Sequence, residues 1–140
     1  MALSDGQRMV VNVLRAVAGF VVAFLVYKRV GGILGSVFVT PMLNDAGWSR
    51  GDTLPTNVAI VSFLIDCFAA VLVGFALPWI VGRFTWMTAA AFVVIVLVMH
   101  IVGMHAPVHW YDILLTFPPL LLPVGIFLQR AIYRLFDRSQ

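Results

Sequence analysis

The sequence predicts an all-α fold, a helical integral membrane protein of about four transmembrane helices in an up-down bundle, with residues 1–140 forming a single transmembrane domain. Three observations predict it. Of 140 residues, 62% are hydrophobic and 11% charged, whereas a soluble domain carries about a quarter charged residues. The apolar runs reach the roughly 18 residues that mark a spanning helix. Eight of the nine basic residues are Arg, and they stand mainly at the ends of those runs, as topology-setting charges do.

The first run, Val10 to Leu43, is interrupted by Lys28-Arg29 and then by Gly31-Gly32. A helix ending near Arg29 would use basic residues in its last turn and glycine as its cap. That ending strands residues 30–43, which are apolar on every side and so do not suit a surface helix. The favoured reading is one long tilted helix over about residues 10–40, stopped by Pro41. It carries Lys28 and Arg29 into the membrane at roughly 2.5 to 3.5 kcal/mol each. The basic start and the apolar stretch from Ala16 to Tyr27 resemble a signal peptide. Lys28-Arg29 stands where small cleavage-site residues belong, so the segment is read as an uncleaved span.

The second run, residues 57–82, is apolar except for Ser62 and Asp66 and would be about 39 Å long as a helix. Arg83 marks the turn after it. The third, 87–105, ends toward His105-Ala106-Pro107. The fourth, 111–132, carries Pro118, Pro119 and Pro123, each lacking a backbone donor, which predicts a kink. Trp79 and Trp86 suit the inner boundary, and Trp48, Trp110 and Tyr111 the outer one. With both termini cytoplasmic, Arg8, Arg15, Arg83, Arg130, Arg134 and Arg138 lie inside and Arg50 outside. The positive-inside rule therefore selects that orientation. The expected location is a bacterial inner membrane.

Small residues at i and i+4 allow close helix approach in lipid. Gly19 and Ala23, Gly31 and Gly35, and Ala70 and Gly74 form such pairs.

Asp66 is the most informative side chain, because a carboxylate in an apolar helix must be paired, hydrated or protonated. It lies about 14 Å below the outer boundary near Asn57. Lys28 and Arg29 lie about 17 to 18 Å below Thr40, and His100 about 10 Å below Pro107. These four are expected to form a buried polar network, with Asp66 in salt-bridge reach of Lys28 or Arg29 or hydrogen-bonded to His100. The network would be either a structural register pin or a relay for protons or ions. His105, His109 and Asp112 are weak metal candidates: Pro107 spoils the helix that would align the two histidines, and no acid completes a zinc-protease motif. Arg130, Arg134 and Arg138 recur every four residues, forming one helical stripe suited to anionic lipid. The tail should stay helical past the membrane. Arg50-Gly51-Asp52 reads as ordinary turn chemistry, and Cys67 as a small buried apolar residue.

A single cysteine excludes an intramolecular disulfide and a thiol-exchange pair. No basic polar face with interleaved aromatics exists, which sets nucleic acid aside. No Glu, phosphate loop or Ser-His-Asp spacing occurs, so no enzymatic activity and no cofactor is expected. The leading expectation is a structural or accessory subunit packing against itself, as a homo-oligomer, or against a larger membrane complex in the lipid bilayer. The alternatives are a small transporter or channel centred on Asp66, and a metal- or haem-binding membrane protein using the outer histidines.

Overall fold

The computed structural model describes residues 4–50, 52–104 and 107–138; His105 and Gly51 lie outside the described residues. Among the described residues every regular element is helical. Three helical segments are long and apolar enough to cross a membrane: Asp5–Asp45, Thr56–Gly103 and Trp110–Asp137.

The first segment opens with α1, Asp5–Leu34. Ser4 caps it reciprocally: the Gln7 N–H donates to Ser4 Oγ at 3.3 Å, and the Ser4 N–H donates to Gln7 Oε1 at 3.0 Å, satisfying two donors that no helical carbonyl can reach. Neither Lys28-Arg29 nor Gly31-Gly32 ends the helix, so the long first helix is the one observed. Pro41 does not stop it either. The turn Gly35–Val39 widens into a π-helix, in which the Thr40 N–H donates to the Gly35 carbonyl, and α2 continues over Thr40–Asp45. A widened turn re-aims the carbonyls that a proline ring would otherwise meet. Chain reversal waits for Gly47, at φ 62°, a conformation that costs glycine little.

The second segment consists of α3, Thr56–Val81, a 3₁₀ turn over Gly82–Phe84, and α4, Thr85–Gly103. Gly82, at φ 64° and ψ −121°, ends α3, and the Thr85 hydroxyl donates to its carbonyl. The packing on α1 shows how the two halves run. Gly19 faces Val81 while Gly31 faces Asp66, so α1 is antiparallel to α3. Phe20 and Tyr27 pack on Phe92, and Lys28, further along α1, lines one cavity with Val96 and His100, further along α4, so α1 is parallel to α4. The helices α3 and α4 therefore fold back on each other at Gly82.

The third segment holds α5, Trp110–Leu114, a 3₁₀ turn over Pro118–Leu121, and α6, Leu122–Asp137. Pro118 and Pro119 sit at the break. Pro123 falls in the first turn of α6, where a missing N–H costs nothing. The proline kink of the sequence is thus a break into a short helix and a longer one. The tail remains helical as far as Asp137.

Two glycines bring α6 onto α3. A Cβ on Gly74 would overlap the Leu122 carbonyl, and one on Gly125 would overlap the Val71 carbonyl and stand 2.7 Å from the Phe75 nitrogen. The core runs through the same contact: Ala69, Ala70, Val73 and Leu77 of α3 meet Leu122 and Ile126 of α6, with Ala23 and Tyr27 of α1 and Phe92 and Val96 of α4 on the other side. Tyr27 meets the Phe92 ring edge-on, with centroids 5.7 Å apart, a favoured aromatic arrangement. The small residues Gly19 and Gly74 therefore find their partners within the same chain. Outside this core the surface is apolar. Only 11% of the most apolar stretch of the first segment is buried, leaving Val13, Leu14, Val17, Val21 and Leu25 exposed. Exposed apolar surface of this kind is consistent with a membrane location.

Candidate functional site

Asp66 sits on α3 sixteen residues before Gly82, and His100 on α4 fifteen residues after Thr85. At 1.5 Å per residue both stand about 22 to 24 Å from the turn. The hairpin therefore brings them to one level. From α1, Lys28 reaches the same level, and the three side chains line a cavity of about 420 Å³ together with Phe24, Tyr27, Gly31, Gly32, Val96 and Met99. At about 30 Å³ per water, this has room for on the order of ten waters.

Each wall has a local cause. Asp66 lies against α1 at position 31, where a Cβ would stand in ordinary contact with Asp66 Oδ1 at 3.5 Å and a larger side chain would enter the cavity. Lys28 is drawn over the Phe24 ring, its Nζ 5.9 Å from the centroid, within cation–π range. Tyr27 is buried and fixed by Phe92. The charged groups facing the carboxylate are His100 and Lys28, yet among the described residues neither closes an ion pair or hydrogen bond onto it. Of the network expected from sequence, Asp66, Lys28 and His100 are brought to one cavity. Arg29 is not: it is exposed and does not line the cavity, as expected for a neighbour turned about 100° around the helix.

Chemically the cavity combines a carboxyl group, an amine and an imidazole, three side chains able to bind cations or exchange protons. It offers two groups that suit a metal, Asp66 and His100, and among the described residues no three potential ligands gather anywhere. At the outer candidates, Asp112 is engaged in capping. The His109 N–H donates to its Oδ2 at 2.8 Å, closing a capping box at the start of α5. His105 of that trio lies outside the described residues.

In the loop before α3, Asp52 accepts from the Ser49 N–H at 2.9 Å and the Ser49 hydroxyl at 2.8 Å, while the Trp48 indole donates to its carbonyl at 3.2 Å. Those Ser49 donors hold the Asp52 carboxyl below the usual carboxylate range. Asp52, the acid of Arg50-Gly51-Asp52, is thus tied to Ser49 as turn chemistry expects.

At the opposite end, Arg130 stacks over Trp86 with its Cζ 5.4 Å from the centroid. Arg130 and Arg134 line an open groove with Trp79, Gln129 and Tyr133, and Arg138 does not. The sequence reading missed Tyr27, Gly31 and Gln129. For the first two, the signal was available in the four-residue spacing of Gly19, Ala23, Tyr27 and Gly31 along α1.

Comparison with protein-family models, curated proteins and solved structures returned no match to this chain.

Proposed function

We propose that the chain is an integral membrane protein that crosses the bilayer four times in up-down order, and that its α1–α3–α4 cavity binds and passes a small cation, the proton being the simplest. The observation that carries this is the meeting of Asp66, His100 and Lys28 around one cavity without direct pairing. A structural ion pair stabilises only when its partners touch and saturate each other's hydrogen bonds. Ionisable groups held apart around a polar space at membrane depth are the usual components of ion and proton routes. The nearby π-turn of the first segment fits the same reading, since such turns frequently occur at functional sites.

Four crossings are supported by length. Thr56–Gly103, 48 residues, would extend about 72 Å as one straight helix, more than twice a 30 Å core. Folded at Gly82, its halves of 26 and 19 residues are about 39 and 28 Å, one crossing each. With the first helix long, Lys28 and Arg29 belong to neither loop. Six arginines then face Arg50 alone across the bilayer, which supports cytoplasmic termini and a bacterial inner-membrane placement.

A second reading, an accessory subunit in a homo-oligomer or larger complex, is favoured by the almost unburied apolar face of α1. Proteoliposomes carrying an internal pH dye and an imposed potassium diffusion potential separate the two. The transport reading expects proton flux above that of protein-free vesicles and its loss in Asp66→Asn. Flux equal to protein-free vesicles, or undiminished in the variant, contradicts it; a stoichiometric co-purifying subunit then supports the accessory reading.

A further inference from the structure

The inner end of α6 carries an open groove, of about 470 Å³, whose lining residues are Trp79, Gln129, Arg130, Tyr133 and Arg134. We infer that this is a binding site for the phosphate of an anionic phospholipid. It shares the membrane placement proposed above but is independent of the Asp66 cavity.

Charge comes first. The lining holds two guanidinium groups and no acid, and arginine's planar fork suits phosphate oxygens. Arg130 is pre-oriented by its stacking on Trp86, so less rotamer freedom is lost on binding. The independent observation is Gln129. It is 7% exposed, lines this groove, and among the described residues has no hydrogen-bond partner. Its amide is open to the groove, since the sealed, unpartnered side-chain atom among the described residues is Thr88 Oγ1, and a phosphate oxygen beside the arginines would accept its N–H. The surroundings select lipid over a soluble phosphate. Trp79 and Tyr133, which line the groove, are 65% and 66% exposed, and Phe127 and Leu128, preceding Gln129 on α6, add exposed apolar surface. An acyl chain would lie on that surface while the boundary aromatics flank the headgroup.

This differs from a diffuse basic stripe, in which Arg130, Arg134 and Arg138 contribute alike. Titrating the detergent-solubilised protein with phosphatidylglycerol and counting bound lipid by native mass spectrometry distinguishes them. The site expects Arg134→Gln and Gln129→Leu each to weaken binding about fivefold or more, with Arg138→Gln unchanged and phosphatidylcholine bound more weakly throughout. Equal losses in Arg134→Gln and Arg138→Gln, with none in Gln129→Leu, overturn the site. Displacement of the lipid by free glycerol 3-phosphate overturns the choice of lipid in favour of a soluble phosphate ester. Should Gln129→Leu fail to fold, the comparison of Arg134→Gln with Arg138→Gln decides alone, since both arginines are exposed on the helix surface.

Discussion

The closest approach in the bundle, Gly74 of α3 against Gly125 of α6, allows a stability effect to be worked from the structure. In Gly74→Ala the new Cβ would overlap the Leu122 carbonyl oxygen and lie 2.9 Å from its carbon and 3.3 Å from the Gly125 Cα. None of these atoms belongs to a side chain that can rotate away. Relief requires α3 and α6 to separate by about 1 Å or more, opening gaps along the contact of Val73, Leu77, Leu122 and Ile126. A gap of that size forfeits a quarter to a half of each dispersion contact along it. Overpacking a tight contact costs about 1–3 kcal/mol, and a backbone-to-backbone clash belongs at the upper end. Gly6→Ala is the control, since nothing lies within 4 Å of a Cβ there, and helix propensity favours alanine by about 1 kcal/mol. Unfolding in mixed micelles of increasing denaturing detergent, followed by circular dichroism, measures both. We expect Gly74→Ala to lose about 3 kcal/mol and Gly6→Ala to lose none. A Gly74→Ala protein as stable as the parent would refute the close crossing.

Position 31 separates space from stability at the Asp66 cavity. Alanine there makes ordinary contact with the carboxylate at 3.5 Å and should leave proton flux intact, whereas Gly31→Leu should fill the cavity and reduce flux severalfold in a protein that still folds; equal flux in both variants contradicts the assignment. The 48–52 turn should depend on pH with a definite sign. The folded Asp52 carboxyl titrates below its unfolded range, so its contribution is present above the unfolded value and disappears as pH falls through the folded one. Acidification through that window, or Asp52→Asn at neutral pH, should release the Trp48 indole and raise hydrogen exchange at the Ser49 amide. Unchanged exchange in Asp52→Asn sinks that reading.

Much of this architecture was legible from the order of residue types. Continuous apolar runs pointed to helices long enough to cross a membrane, and Gly82-Arg83 marked the turn between two of them. Asp66 and His100 could be set at one level because a hairpin places residues equidistant from its turn opposite each other. Other features depended on geometry that sequence does not carry. Pro41 is a helix stop by propensity, and only a π-turn five residues long carries the helix past it. Arg29 looked equivalent to Lys28, and one residue of rotation separates their environments. Asp112 resembled a ligand beside His109, yet it is engaged as the partner in a capping box. Gln129 reads as a polar residue in an exposed tail. It is buried because Gly74 and Gly125 let α6 lie against α3, a tertiary contact invisible to local pattern.

The central claim, that Asp66 faces a hydrated cavity shared with His100, is tested most directly by infrared difference spectroscopy on reconstituted protein through a pH titration in H₂O and D₂O. The chain has six acidic residues, all aspartates, so a protonated-carboxyl band can be assigned by its loss in Asp66→Asn. The expected result is a band distinct from those of the other five aspartates, absent in Asp66→Asn, displaced in His100→Gln and shifted promptly in D₂O. A band for Asp66 that ignores both D₂O and the loss of His100, or no Asp66 band that changes with pH, would contradict the account.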